Sequence, residues 1–209
     1  KADVNGNGQE ETIYLVGKRY DDSSLYFEHV NLLVEDEKSN GYLVKITGDI
    51  DGGYTPSMTL ADLTGDGVQD VIVSLPTGGS GGIINYYAYT LKDDQPQPIF
   101  NSEKDVIDVG GVFLEDYKAR LSIKDSKSLY DMTVVIDLKD RKPTYDETEL
   151  YKDGKLQTER LEVMVNPYGL IEVKDLDNDG VYELQAHQRI KGSCNADSIA
   201  EVITSWKWV

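Results

Sequence analysis

No ten-residue stretch of this chain carries a clean 3.6-residue apolar period, so helices should be few. The apolar residues fall instead in short runs rich in β-branched and aromatic types. Thr12-Ile-Tyr-Leu-Val16, Met58-Thr-Leu-Ala61, Val71-Ile-Val-Ser-Leu75, Leu170-Ile-Glu-Val173 and Leu184-Gln-Ala-His187 all read as strands. Residues 25–36 and 42–47 are two more such runs, joined by Lys38-Ser-Asn-Gly41, and Asn-Gly between apolar runs predicts a hairpin. A strand is expected over 83–91, with Pro96 and Pro98 marking the connection that follows. Gly111 to Ile123 and Tyr130 to Leu138 alternate and predict a second hairpin. Residues 139–157 are charged and loop-like, with a turn at Lys152-Asp-Gly-Lys155; strands follow at 159–165 and 170–174. The last stretch, Glu201 to Val209, alternates strongly.

Between several of these strands one motif is written three times. Asp3-Val-Asn5-Gly-Asn7-Gly8-Gln9-Glu-Glu11, Asp62-Leu-Thr64-Gly-Asp66-Gly67-Val68-Gln-Asp70 and Asp175-Leu-Asp177-Asn-Asp179-Gly180-Val181-Tyr-Glu183 share their spacing. Side-chain oxygens occupy positions 1, 3 and 5, glycine position 6, a backbone carbonyl position 7 and an acid position 9. Calcium is a hard cation that takes six to eight oxygens at about 2.3–2.6 Å, and alternate side chains of a tight loop can converge to supply them. The set Asp3, Asn5, Asn7, Gln9 and Glu11 is one candidate site. Asp62, Thr64, Asp66, Val68 and Asp70 form the second, and Asp175, Asp177, Asp179, Val181 and Glu183 the third. The third carries four acids and should bind most tightly, because ligand charge tunes affinity. These are not EF-hands, since position 12 is Tyr14, Val73 or Ala186 and not glutamate.

A strand, such a loop and a strand resembles the calcium-binding repeats of the FG-GAP/VCBS type. Those occur in the β-propeller of integrin α subunits and in many bacterial surface proteins. The resemblance implies an all-β, small propeller-like fold of four or five blades and a non-catalytic binding or adhesion role. The loop starts fit that expectation. The interval from 62 to 175 is close to twice that from 3 to 62, leaving room for a degenerate, metal-free repeat near 115 in a single domain of residues 1–209. The first loop has almost no chain before it, so the C-terminal strand is expected to pair beside residues 12–16 and close the ring.

Charge narrows the partners. With 38 acids against 21 bases, the formal net charge is −17. Three bound divalent ions would still leave the surface acidic, which argues against nucleic acid or an anionic membrane. No apolar run is long enough to span a bilayer. The one cysteine, Cys194, excludes an internal disulfide. Weak calcium sites fill where the ion is millimolar, so an extracellular or cell-surface location is expected, with any signal segment removed. Partners would be a protein or polysaccharide at that surface.

Other chemistry is sparse. Gly78-Gly79-Ser80-Gly81-Gly82 contains the spacing of a nucleophile elbow, but the aromatic, β-branched Ile83 to Tyr89 follows where a helix should begin. Gly79 and Ser80 with Tyr86 and Tyr87 are instead a speculative ligand surface. His29, His187 and Cys194 lack patterned partners. A secreted hydrolase with structural calcium, and a self-assembling envelope protein, are the alternatives.

Overall fold

A computed structural model describes residues 1–38, 40–125, 130–158 and 161–208. Among the described residues, sixteen strands fall into several separate sheets, all antiparallel where pairing is assigned, with only short helical turns between them. The chain divides into two units. One contains Lys1–Asp105, Pro167–His187 and Ile203–Val209; the other contains Val106–Asn166 and Gln188–Val202.

The first unit is built on sheets laid face to face. Strands β1 (Thr12–Arg19), β2 (Tyr26–Glu35) and β3 (Gly41–Lys45) lie in that order, with β4 (Gly53–Tyr54) also pairing with β2. Strands β5 (Ser57–Ala61), β6 (Asp70–Pro76), β7 (Ile84–Thr90) and β8 (Gln97–Asn101) form a meander. The near-continuous apolar runs of β6 and β7 are explained by burial on both faces. Val71, Val73, Leu75, Tyr87 and Tyr89 face Ile13, Val30, Leu32 and Val44 of the first sheet. Ile72, Tyr86 and Ala88 face Tyr168, Ile171, Leu184 and Ala186 on the other side. Burying tyrosines at this depth requires partners for their hydroxyls. Tyr87 donates to the carbonyl of Ile50 (2.7 Å), and Tyr89 accepts from the amide of Thr47 (2.9 Å). Residue 48 must then be glycine, because a Cβ there would run into the Tyr87 ring.

The second unit centres on β9 (Asp108–Leu114), β10 (Lys118–Asp125) and β11 (Tyr130–Asp137), ordered β11-β10-β9. Helix α1 (Lys142–Glu147) and the small hairpin β12 (Tyr151–Lys152) and β13 (Lys155–Leu156) complete an aromatic core of Phe113, Tyr117, Tyr145 and Tyr151. Asp197 anchors a turn here. Its carboxylate accepts from the Tyr145 hydroxyl (2.7 Å) and the Ser193 amide (2.9 Å). The remaining sheet, β14 (Met164–Lys174), β15 (Glu183–Lys191) and β16 (Ser198–Trp206), has residues in both units.

Several expectations change. The sheets do not close into a propeller: β16 pairs with β15, and β1 stays at the edge of its own sheet beside β2. A C-terminal strand long enough to reach β15 finds a ready antiparallel neighbour there, so β1 is not needed. Gly111 to Ile123 is two strands, because the chain reverses through Asp116 (φ 58°) and Tyr117 (φ 54°). Alternation alone does not reveal that turn, since both residues prefer other conformations. Residues 139–157 hold α1 and a hairpin whose Asp153 and Gly154 both have positive φ, as the turn reading required. The hairpin between β2 and β3 forms, but Asn40 and Gly41 do not supply positive φ. The Asp36 carboxylate accepts the amides of Lys38 and Asn40 instead, both at 2.8 Å. Ser39, and residues 159–160 of the strand expected at 159–165, lie outside the described residues.

Register in β14 gives a test. Ile171 is 6 % exposed and Leu170 44 %. Ile171→Ala should cost about 2–4 kcal/mol and Leu170→Ala under about 1 kcal/mol, read from urea midpoints. Equal losses would contradict the assigned faces.

Candidate metal centre

The three motif loops fold on one plan, loop 3 differing in one bond, where the amide of position 5 takes the place of that of position 4. The position-1 carboxylate takes two amides of its own loop. Asp3 accepts from Gly6 (2.7 Å) and Gly8 (2.8 Å), Asp62 from Gly65 (2.7 Å) and Gly67 (2.8 Å), and Asp175 from Asp179 and Gly180 (both 3.1 Å). The position-5 oxygen accepts the amide of position 7: Asn7 from Gln9 (2.7 Å), Asp66 from Val68 (2.9 Å), Asp179 from Val181 (2.8 Å). Positions 4 and 6 both run through left-handed backbone, at Gly6 and Gly8, Gly65 and Gly67, and Asn178 and Gly180. Position 6 was legible in the sequence. Position 4 varies between Gly and Asn, the residues that tolerate such φ.

Position 9 is the root of each loop. Glu11, Asp70 and Glu183 are all buried, at 2 %, 0 % and 3 % exposure. Each takes the amide of position 2: Val4 to Glu11 (3.1 Å), Leu63 to Asp70 (2.8 Å) and Leu176 to Glu183 (2.8 Å). Ala61 and Asp70 pair as β5 meets β6, and Ala2 and Glu11 form the same bridge before β1.

The loops also stack. The carbonyl of Asp62 accepts the amide of Tyr182 (2.8 Å), and that of Asp3 accepts the amide of Gln69 (3.4 Å). Position 1 of one loop therefore bonds position 8 of the next, twice over. Position 4 meets position 7 in the same steps, where Cβ atoms added at Gly6 and Gly65 would lie 3.0 Å and 3.2 Å from Val68 and Val181. Sequence spacing gave no sign of this contact, which follows from the face-to-face packing of the sheets.

Electrostatics separates the three. In loop 2 burial pushes the Asp70 carboxyl above the ordinary range, and its Oδ1 has no hydrogen-bond partner. Lys92 lies 3.0 Å from Asp66. Burial of Asp66 acts upward, but the Lys92 bond helps bring its net shift below the ordinary value. In loop 3, Asp175, Asp177 and Glu183 bring one oxygen each within 4.8 Å of one another. Lys207 donates to Asp177 (2.7 Å) and Asp179 (2.8 Å) and lies 3.0 Å from Glu183. Its bond to Asp179 depresses that carboxyl. In loop 1 the Asn5 amide donates to Asp94 (3.1 Å) and the Asn7 amide to Glu11 (3.4 Å). Neither lysine could be tied to its loop from the sequence, being 22 or more positions beyond the loop it meets.

The speculative ligand surface does not assemble. Tyr86 and Tyr87 are 6 % and 0 % exposed, with their rings in opposite cores. Strand alternation in a sheet covered on both sides forces that outcome. Gly79 and Ser80 lie exposed in the loop joining β6 to β7, closed by the Thr77 amide on the Ile83 carbonyl (3.0 Å). Strands flank Ser80 on both sides, so there is no elbow. His29 is exposed beside Asp51 (2.9 Å), His187 meets Glu172 (3.2 Å), and Cys194 is an exposed turn residue.

Residues 107–209 match the family described as the YybI C-terminal domain. Over its whole length the chain is similar to an uncharacterized protein YybI of Bacillus subtilis (strain 168), with 34 % identity over 211 residues that cover 78 % of that relative. No solved structure matches the chain.

The left-handed turn can be tested apart from any ion. Gly67 has φ 80° and open space where a Cβ would go. Gly67→Ala should therefore lower stability in EDTA by about 1–2 kcal/mol through backbone strain alone. An unchanged urea midpoint would contradict the loop conformation.

Proposed function

The chain belongs to the YybI family, and from that premise we propose that it is a calcium-stapled, non-catalytic β module of a bacterial surface or secreted protein. One observation carries this reading. Three loops of one conformation each bury an acid at position 9, and in the second that acid keeps an unpartnered oxygen. A buried carboxylate oxygen without a partner is costly, and a hard cation is the group that relieves both its charge and its lone pairs. Asp62, Thr64, Asp66, Asp70 and the Val68 carbonyl offer only oxygen, which suits calcium and not a soft metal. Loop 3 offers Asp175, Asp177, Asp179, Glu183 and the Val181 carbonyl. Loop 1 offers Asp3, Asn5, Asn7, Glu11 and the Gln9 carbonyl.

The ions would act on structure. Each would tie the root of one strand to the loop that precedes it and remove repulsion among carboxylates held close together. Sites of this kind fill where calcium is plentiful, which favours a place outside the cytoplasm. The surface left for a protein or polysaccharide ligand is acidic, so a partner with basic or neutral polar groups is the better match.

Calorimetry of EDTA-stripped protein with Ca²⁺ tests the reading, with melting followed in parallel. Two or three binding events and a large rise in melting temperature are expected. An absence of heat at millimolar Ca²⁺ would reduce the motifs to turns. Asp70→Asn sharpens the test, because its amide oxygen can still accept from Leu63 and Thr64. In EDTA it should shift stability by less than about 1 kcal/mol, while in Ca²⁺ it should remove about 2 kcal/mol or more. Equal losses in both media would contradict Asp70 as a ligand.

A further inference from the structure

The sequence ranks loop 3 first by acid count. The fold gives it a rival cation. Lys207 places its ammonium against positions 3, 5 and 9 of that loop, at 2.7 Å from Asp177, 2.8 Å from Asp179 and 3.0 Å from Glu183. An ammonium has three N–H donors, and here three carboxylates receive it. Asp177 and Glu183 also belong to the trio that brings oxygens within 4.8 Å of one another. A calcium ion needs those oxygens at about 2.3–2.6 Å, a distance that leaves no room for a second cation. Loop 2 differs. Lys92 contacts its Asp66 at 3.0 Å, whereas Oδ1 of the buried Asp70 has no hydrogen-bond partner.

We infer that Lys207 is a tethered competitor of calcium in loop 3, so that the ion enters only by displacing this side chain and disturbing the end of the chain that carries it. The inference rests on the calcium reading and adds an order of filling: loop 2 before loop 3. It also supplies its own reporter. The chain has two tryptophans, Trp206 and Trp208, one on each side of Lys207. Both pack edge-on against the buried Phe100, with ring centroids 5.7 Å and 6.3 Å away. A lysine withdrawn from the loop pulls on the backbone between them. Their emission therefore follows the exchange of cations at loop 3 and is insensitive to the filling of loop 2.

The experiment is a Ca²⁺ titration of the full chain, read by tryptophan emission and by calorimetry on matched samples. In the wild type, heat should appear before the emission changes, and the change should accompany a binding event weaker than the first. In Lys207→Met that event should strengthen about tenfold, in the ordinary range for coupled sites. Metal-free Lys207→Met should already show the emission of the calcium-loaded wild type. Lys207→Arg keeps a cation in place, so it should retain the weak event; it also checks that substitution at 207 preserves the fold. Calcium heat with no emission change in the wild type would overturn this inference alone, as would unchanged binding constants in a folded Lys207→Met. Heat in none of the proteins would overturn the calcium reading together with it.

Discussion

Everything around the three loops depends on the burial of one carboxylate in each. Glu11, Asp70 and Glu183 sit at the start of a strand, within the sheet and out of water. An ionised group in that position must be met by donors or by a cation. The chain meets it first with its own backbone, the amide of position 2, and the same answer recurs in all three loops. That hydrogen bond fixes the entry of the loop. The glycines and Asn178 at positions 4 and 6 then turn the chain sharply enough for the position-1 carboxylate to take two further amides.

Stacking follows from packing. The meander β5 to β8 is apolar on both faces, so one sheet must cover each side of it in the first unit. Each covering sheet carries its loop at the corresponding strand start. Face-to-face sheets thus place the loops in a row, joined by the position-1 to position-8 hydrogen bonds. Carboxylates become crowded along that row in a chain already far from neutral. Lys92 and Lys207 lower part of the cost, and they do so unequally. The difference between loops 2 and 3 therefore lies in which residues meet them from elsewhere in the fold. It comes on top of the loops' own composition, four acids at the ligand positions of loop 3 against three in loop 2.

The second unit is held differently. Its core is a cluster of tyrosines around Phe113, and Asp197, the one buried acid among its described residues, is satisfied by the Tyr145 hydroxyl and the Ser193 amide. No motif announced that arrangement, since tyrosine in an alternating strand reads the same whether its hydroxyl finds water or a carboxylate.

The sequence by itself determined the β character, most strand positions, and the three loops with their ligand-type residues. These are local properties, set by alternation, by turn residues and by the spacing of oxygens over nine positions. It also held the left-handed pairs at positions 4 and 6, for a reader attending to Gly and Asn. What it could not determine was anything that needs two distant segments to meet. The partner of the last strand, the inward facing of Tyr86 and Tyr87, the stacking of the loops and the seating of Lys207 on Asp177, Asp179 and Glu183 are of that kind. The tertiary structure decided them, because burial and charge neutralisation depend on what lies across a gap in space, and neighbouring positions in the chain do not encode it.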